Sequence, residues 1–280
     1  MACETAGQIQ FFNKNKCDLE FVGTSITITD AVAFNTGQAF INYLRDRKNY
    51  TAWMTTDSTD AAGTVIDINY GDFKDIDSIF LLGHNLKDYK IEYWTGLVWS
   101  LVTLAIDNTT VAPTNDTNSS SFYYINSVNT DKIKITINGT QIADADKRIQ
   151  QLITTTRIGK IAGWPVIKRP TVDTNKKTST MLSGKKHVVE SLEAFSCSLD
   201  VRNWNSQADL DIIEEIYFKR AGVLLWLNSD RPDQFAMELR GYRKEDLFLV
   251  RPSDAYSPEF VAGLYKTGVK QSISLVEVIT

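Results

Sequence analysis

Short apolar runs alternate with polar, turn-forming clusters through the first half of the chain. The runs are rich in Ile, Val, Thr and aromatic residues, and several have a period of two, which predicts half-buried β-strands. In Lys132–Ile137, for example, three isoleucines share one face. The predicted strands are Ser25–Thr29, Thr64–Ile68, Ser78–Leu82, Lys90–Trp94, Trp99–Leu104, Phe122–Ile125 and Lys132–Ile137. With a short helix predicted at Ala39–Arg47, this spacing favours a β-sandwich over alternating βα units.

The second half of the chain has a different pattern. Residues 166–187 hold the run TNKKTSTMLSGKK and few large apolar side chains, which predicts a linker or a long loop. A strand is predicted at His187–Val201. It is followed by a helix, Gln207–Ala221, whose apolar face carries Leu210, Ile213, Ile216 and Tyr217. The remaining predicted strands are Val223–Leu227, Ala236–Tyr242 with Asp246–Val250, and Gly268–Ile279. This half is therefore predicted to be α+β.

Composition and charge narrow the classes of function. The chain has 280 residues, 43% of them hydrophobic, which is enough for one large domain or two medium ones. Its formal charge of −4 is small and its basic residues are scattered, so we expect no nucleic-acid binding. No signal peptide is visible in MACETAGQIQFF, and no apolar run approaches the roughly 20 residues that span a bilayer. We expect synthesis in a reducing cytoplasm and no membrane insertion.

Residues for catalysis or metal binding are sparse. The two histidines, His84 and His187, are far apart, and a capping or surface position is the expectation for each. Cys3, Cys17 and Cys197 lack C-x-x-C spacing, and Cys197 is predicted to be a small apolar residue within a strand. Phosphate-binding glycine motifs are missing. We therefore expect no enzyme, no metal and no cofactor, and keep a hydrolase only as a minor alternative.

Two local clusters leave a choice open. Asp72, Asp75 and Asp77 form the densest acidic cluster, and either a solvated turn or a Ca²⁺ site accounts for them. Tyr93, Trp94 and Trp99 crowd around a predicted turn. If exposed, they are candidates for a sugar-stacking platform or a protein-interface anchor. The alternative is that one ring of each alternating pair belongs to the core of the sandwich.

The stretch Tyr50–Thr103 resembles the galactose-binding-like jelly roll of discoidin and coagulation-factor C domains. The matching residues are Trp53 with Thr55, Val65–Ile68, Ile76–Leu82 and Tyr89–Trp99. The resemblance extends over about residues 20–165 and implies a jelly-roll fold. The usual acidic residue of the hairpin turn is absent here, and no disulfide ties the ends. Since ligand specificity in that family lies in variable loops, no binding residue is carried over.

The segment Val188–Thr280 resembles the tail-tube fold of phage tube, tail-terminator and distal-tail proteins. The resemblance is one of pattern: a long strand, a helix, then paired strands ending in a long C-terminal strand. It implies a structural component of a phage tail tip or baseplate, assembled in the host bacterial cytoplasm into the virion. Its partners would be copies of itself in a ring and other tail proteins. Gly268–Ile279 is expected to offer an unpaired edge to neighbouring subunits.

Together these patterns predict a mainly β chain. An N-terminal segment (1–19) precedes a jelly-roll β-sandwich (20–165), a linker or long loop (166–187) and a smaller α+β domain with one helix (188–280). The expected function is a ring-forming structural part of a phage tail that joins the tube to peripheral or host-recognition parts. The alternative is a carbohydrate-binding module for host recognition, with surface glycan as partner.

Overall fold

The computed structural model describes residues 9–30, 38–47, 51–56, 59–61, 63–161, 166–173, 176–180, 186–190, 194–203, 207–219, 222–226, 247–255, 259–262 and 267–278. It divides the chain into two compact units. We call Asn15–Thr156 the jelly-roll unit, and Met1–Lys14 together with Arg157–Thr280 the split unit. The first strand, β1 (Ile9–Phe12), belongs to the split unit. The jelly-roll unit is therefore an insertion between two pieces of chain that build one sheet.

The jelly-roll unit is almost entirely β. One six-stranded sheet has the order β2-β4-β7-β5-β6, with β9 also paired to β4, and β3 pairs with β8. One short helix, α1, ends earlier than the sequence predicts. The elements are β2 (Ser25–Asp30), α1 (Gln38–Asn42), β3 (Trp53–Met54), β4 (Thr64–Leu82), β5 (Leu86–Trp94), β6 (Trp99–Leu101), β7 (Ser121–Thr140), β8 (Arg148–Ile149) and β9 (Gln151–Thr155).

Two very long strands, paired with each other along most of their length, form the centre of the six-stranded sheet. The sequence predicts a pair of separate strands in each of these regions, but β4 has 19 residues and β7 has 20. Their register shifts between Asn69 and Lys74, so the strands bulge and bend there without leaving the ladder. Tyr70 stays buried at this bend, and Gly71 takes a left-handed φ of 78° that only glycine adopts easily.

Both halves of each long strand contribute to one core. Before the bend, alternate positions of β4 face inward, as a period of two requires. Beyond it, a second register shift between Ile76 and Ser78 moves the core positions to Ile79 and Leu81. The buried set includes Ile66, Ile68, Ile76, Ile79, Leu81, Ile133, Ile135 and Ile137. The predicted mainly β fold with an N-terminal jelly-roll sandwich is confirmed.

The pairing distinguishes two ends of the sandwich. Leu81 pairs with Ser121 and Leu86 pairs with Thr140, so both ends of β7 lie beside the β4–β5 turn. We call this the loop end. The bends of β4 and β7 lie at the opposite end, and there Thr130 Oγ1 donates a hydrogen bond to the Trp94 carbonyl at 2.8 Å. The β5–β6 hairpin therefore lies at the bend end.

The main sheet of the split unit has the order β10-β1-β15-β16-β18-β14-β11, with β17 paired to β18, and β12 pairs with β13 in a separate two-stranded sheet. The described part of this unit contains one helix, α2 (Gln207–Phe218). It packs Ile213 and Ile216 into the core with Tyr217 against them, as predicted, whereas Leu210 of the predicted apolar face is half-buried and is not part of that core. The strands are β10 (Arg157–Ile161), β11 (Val166–Asp173), β12 (Lys176–Thr180), β13 (Lys186–Glu190), β14 (Ala194–Asn203), β15 (Val223–Trp226), β16 (Phe248–Pro252), β17 (Glu259–Ala262) and β18 (Thr267–Glu277). The strand predicted at Ala236–Tyr242 lies outside the described residues.

Two expectations about this half differ from the structure. Residues 166–187, expected to be a linker or long loop, instead contain β11, β12 and the start of β13. Their polar Lys, Thr and Ser residues pair through the backbone, for which no apolar side chain is needed. The C-terminal strand β18 does not offer a free edge, because it lies between β14 and β16.

The N-terminal strand is the least expected part of the sheet. The sequence places residues 1–19 in a separate segment, whereas β1 lies between β10 and β15 and pairs antiparallel with both. Ile9 and Phe11 are buried in the core of the split unit. The short run IQFF is the only signal for this strand, and a buried strand of four residues has no polar alternation to reveal it.

Replacing Gly83, in the β4–β5 turn, tests how closely the side chains at the loop end pack. Its φ is +60°, and a Cβ built there would lie 1.8 Å from Gln150 Oε1. We expect Gly83→Ala to lower the free energy of unfolding by about 2 kcal/mol, from left-handed strain plus the clash. Gly96→Ala is the control, because Gly96 is also left-handed but has nothing within 4 Å. Equal losses in urea unfolding would show that the contact with Gln150 is unimportant.

Candidate functional site

The β5–β6 hairpin brings two tryptophans together. Trp94 and Trp99 are register partners across the hairpin, so their side chains share one face of the sheet. Their ring centroids are 5.4 Å apart with an interplanar angle of 60°. The turn is held by Thr95, whose amide and hydroxyl both donate to the Val98 carbonyl, at 3.0 and 2.9 Å. Both indoles are half-buried and lie on a rigid, hydrogen-bonded scaffold.

Tyr93, the third aromatic residue of the sequence prediction, does not join this pair. It is adjacent to Trp94 and therefore points to the opposite face of β5, where it packs against the core of the jelly-roll unit. The structure thus brings together two of the three candidate aromatic residues. The alternation of the strand, already visible in the sequence, separates the core ring from the surface rings.

Charged side chains surround the tryptophan pair on the same face. Lys90 and Glu92 precede Trp94 at alternate positions of β5, and Lys132 and Lys134 come from the neighbouring strand β7, where Lys134 is the register partner of Glu92. We call this surface the Trp platform. It consists of Lys90, Glu92, Trp94, Trp99, Lys132 and Lys134.

The charges of the platform are held in defined positions. Glu92 is 8% exposed; Lys90 Nζ donates a hydrogen bond to its Oε1 at 3.1 Å, and Lys134 Nζ lies 3.7 Å from its Oε2. The Lys134 ammonium is also 4.0 Å from the Trp99 ring centroid, and that of Lys132 is 5.8 Å from the Trp94 centroid. Both are cation–π distances. The Glu92 Oε2 atom is buried and has no hydrogen-bond partner, since the 3.7 Å contact is an ion pair only.

Next to the platform, Asp67 on β4 is the register partner of Lys134 on the other side of β7. Burial raises the pKa of Asp67, and the nearby Lys134 and Lys132 oppose that shift. At the tip of the hairpin, Leu97 and Val98 are 86% and 59% exposed. The platform therefore combines two aromatic rings, hydrogen-bonding charges and an apolar margin.

A second polar cluster, at the loop end, was not predicted from the sequence. His84 was expected in a capping or surface position, and its Nδ1 does accept a hydrogen bond from the Leu86 amide at 3.2 Å. However, the ring is buried, and its Nε2 lies 3.1 Å from Ser121 Oγ. Ser121 in turn donates to Asp116 Oδ2 at 2.8 Å, and Tyr89 donates to the same oxygen at 2.7 Å.

This cluster holds loops together and does not have the order of a nucleophilic triad, because the serine lies between the histidine and the acid. Burial opposes ionisation of Asp116, but hydrogen bonds from Asn118, Tyr89 and Ser121 outweigh it and keep the pKa of that carboxyl below its ordinary value. Asp116 is only 2% exposed, and both of its carboxylate oxygens accept hydrogen bonds. Sequence reasoning missed Asp116 because it lies in a polar loop with the composition of any surface turn.

The burial of His84 predicts a pH dependence of stability. Desolvation lowers the pKa of His84 from 6.5 to about 4, and the charge of Asp116 only partly opposes this shift. Between these values the unfolded chain binds a proton that the folded chain does not bind. The contribution of neutral, buried His84 to the free energy of unfolding is therefore fully present above pH 6.5. It is lost as the pH falls towards 4, and the loss reaches up to about 3 kcal/mol.

Urea unfolding between about pH 7 and pH 4.5 measures this loss. In a His84→Gln variant, the pH slope in this window should shrink by about one proton. An unchanged slope in the variant would contradict the assignment to His84.

The acidic residues singled out from the sequence as a possible Ca²⁺ site do not come together in the structure. Asp72 lies 3.8 Å from Lys74, Asp75 accepts a hydrogen bond from Asn129, and Asp77 accepts one from Ser78. Within the described residues, no group of three or more His, Cys, Asp or Glu side chains could hold a metal ion. The acidic cluster therefore forms separate surface contacts there, without a Ca²⁺ geometry.

Cys17 is buried and free, and burial raises the pKa of its thiol to about 11. Cys3 lies outside the described residues. For Cys197 in β14 and His187 in β13 the structure describes the backbone only. No helix in the described part of the chain is long and apolar enough to cross a membrane.

Comparisons with known proteins return structural likenesses only. No family model matches the sequence, and no curated protein matches it. A chitosan-binding module of a chitosanase/glucanase from Paenibacillus sp. IK-5 is 11% identical, covers 51% of this chain and 98% of its own, and has a TM-score of 0.40. The module CpGH89CBM32-6 from Clostridium perfringens is 15% identical and covers 51% of this chain and 99% of its own, with a TM-score of 0.37.

A putative alpha-L-fucosidase from Bacteroides thetaiotaomicron is 13% identical and covers 52% of this chain but only 30% of its own, with a TM-score of 0.39. TM-scores of this size carry no argument about ligand or activity.

Proposed function

We propose that the jelly-roll unit binds carbohydrate and that the Trp platform is its binding surface. The observation that carries this proposal is the register pair of half-exposed indoles, Trp94 and Trp99, fixed on a sheet face among charged side chains. The C–H face of a sugar ring packs on an aromatic ring, and its hydroxyl groups need donors and acceptors close by. Glu92, Lys90 and Lys134 supply both within reach of the rings.

Rigidity favours this surface over a loop site. The indoles lie on paired strands, and the ammonium groups of Lys132 and Lys134 are positioned by the rings themselves. A preformed surface loses less conformational entropy on binding than one that must be ordered by the ligand. The two rings are inclined by 60°, so a glycan of more than one sugar can place a different ring face on each indole.

Replacing the indoles tests the proposal. A glycan array with the full chain identifies a ligand, and a titration then compares Trp94→Ala and Trp99→Ala with the parent chain. We expect each variant to lose about 2 kcal/mol of binding free energy, or roughly thirtyfold in affinity, because each removes a stacking surface. Ile142→Ala, an exposed apolar residue in the loop between β7 and β8, is the matched control and should bind normally. Full affinity in both tryptophan variants would refute the proposed surface.

We further propose that the chain performs no catalysis. In support, His84 is 3% exposed and has a hydrogen-bonding neighbour at each ring nitrogen, so it is not accessible to a substrate. A general base must reach the proton that it abstracts. Turnover of any member of a panel of ester, peptide and glycoside substrates, if it depends on a residue of this chain, overturns this proposal.

A second candidate function is a ring-forming structural subunit of a phage tail tip or baseplate, located in the virion. The observation that favours it is β11, an eight-residue strand at one end of the sheet order among the described residues. An edge strand of this length offers backbone groups to a neighbouring subunit. The mass of the assembled chain in solution tests it. A ring supports the structural role, and a monomer at all concentrations contradicts it.

A further inference from the structure

We infer that the Trp platform binds acidic glycans, whose carboxylate, sulfate or phosphate group pairs with Lys132 and Lys134 while a neighbouring hydroxyl donates to Glu92. This inference rests on the proposed carbohydrate binding and names the ligand class for the same surface. It is carried by the placement of two ammonium groups beside the stacking rings and by one buried carboxylate oxygen that lacks a donor.

The two lysines are placed where an anionic substituent would lie. They occupy alternate positions of β7, so their side chains emerge on the same face about 6–7 Å apart along the strand. The Lys134 ammonium is 4.0 Å from the Trp99 centroid and that of Lys132 is 5.8 Å from the Trp94 centroid. Each ring attracts the ammonium that lies over it, so a sugar would stack on the part of the two rings that the ammonium groups leave open.

Positive charge is in excess on the platform face of the sheet. Three lysines (90, 132 and 134) share this face with two carboxylates: Glu92, which two of them approach at 3.1 and 3.7 Å, and Asp67, the register partner of Lys134 on β4. The charges of Lys134 and Lys132 both act on Asp67. Asp131 comes 4.0 Å from Lys132 but, as its sequence neighbour, points to the other face of the strand. A ligand that brings one negative charge therefore balances this face, and a neutral sugar does not.

The Glu92 carboxylate supplies the acceptor. Its Oε1 takes a hydrogen bond from Lys90, but its Oε2 is buried without a donor. A buried acceptor without a partner is unfavourable. Because Oε2 itself is not exposed, a ligand hydroxyl would remove this cost only once a platform lysine moves aside to admit it. The platform thus suits a ligand that carries a ring face, a hydroxyl and an anionic group together, and an acidic sugar carries all three.

Matched pairs of oligosaccharides test the inference on the full chain. One pair is a galacturonate hexamer and its fully methyl-esterified form, and the other is a sulfated galactan oligosaccharide and its desulfated form. Binding is followed by calorimetry at about 50 mM and about 500 mM NaCl, since surface charge pairing is screened by salt. We expect the acidic member of at least one pair to bind about tenfold more tightly at low salt, and this advantage to shrink at high salt.

Variants separate the charge from the stacking surface. Lys132→Met and Lys134→Met keep most of the side-chain length, and each should remove most of the preference for the acidic member. Lys87→Met, an exposed lysine near the other end of β5, is the charge control and should keep it. Trp94→Ala should weaken binding to both members.

The outcomes are distinct. Equal, tryptophan-dependent binding of acidic and neutral members overturns the inference but leaves carbohydrate binding on the platform intact. A preference for acidic members that survives both lysine substitutions also overturns it. No binding of either pair overturns the inference, whereas carbohydrate binding is decided by the glycan array; tryptophan-independent binding overturns both proposals. A preference for carboxylate over sulfate, or the reverse, supports the inference and identifies the anionic group.

Discussion

Phe11→Ala should destabilise the split unit by about 4 kcal/mol while leaving the jelly-roll unit folded. Phe11 is fully buried, and β1 lies between β10 and β15 in the sheet. Loss of the ring removes apolar burial and leaves a cavity in the core that Phe11 shares with Ile213 and Leu225. Apart from Met1–Lys14, the unit that is destabilised consists of Arg157–Thr280, far later in the chain.

Differential scanning calorimetry of the full chain measures this effect, and Ile135→Ala is the matched control. Ile135 is fully buried in the core of the jelly-roll unit, so its truncation should lower that unit's transition instead. Suppose instead that Phe11→Ala lowers only the thermal transition that Ile135→Ala lowers. Then β1 does not belong to the split unit in solution.

Asp116→Ala should lower the stability of the jelly-roll unit by about 4 kcal/mol, the second large effect. The carboxylate accepts hydrogen bonds from the Tyr89 hydroxyl, the Ser121 hydroxyl and the Asn118 amide. Removing it leaves these donors buried or poorly satisfied, and each such group costs about 1–3 kcal/mol. Urea unfolding at neutral pH measures the loss of unfolding free energy in this variant.

Asp107→Ala is the control for Asp116→Ala. Asp107 Oδ1 accepts from the Thr109 amide at 2.9 Å, and Asp116 Oδ1 makes the same turn contact with the Asn118 amide at 2.9 Å. Asp107 is exposed, so its loss should cost under about 1 kcal/mol. Similar losses in the two variants would mean that the buried contacts of Asp116 add nothing to stability.

Local pattern predicts much of this fold, because strand alternation is a short-range signal. The isoleucines of Lys132–Ile137 are buried and the lysines form part of the Trp platform. The continuity of β4 through Tyr70–Asp72 was not predictable, because a glycine-containing polar stretch is equally compatible with a turn and with a bulge. The position of β1 depends on its pairing with β10 and β15, which lie far along the chain. A local sequence pattern does not predict such a pairing.

The candidate site was predictable in part for the same reason. Period-two alternation places Tyr93 and Trp94 on opposite faces of β5, but it does not say which face is covered. Lys132 and Lys134 were visible only as the polar side of a strand, since their approach to the indoles depends on the β5–β7 pairing. His84 and Asp116 became a cluster only through tertiary contacts between the β4–β5 turn and a polar loop.

The most direct test of a carbohydrate-binding Trp platform is the indole N–H spectrum of the labelled chain during titration with a glycan that binds. The account predicts that the Trp94 and Trp99 signals shift together and saturate, while the signal of Trp53, fully buried in the core, stays in place. Saturable shifts confined to the loop-end residues, such as 84–88 and 116–120, with Trp94 and Trp99 unmoved, would contradict it.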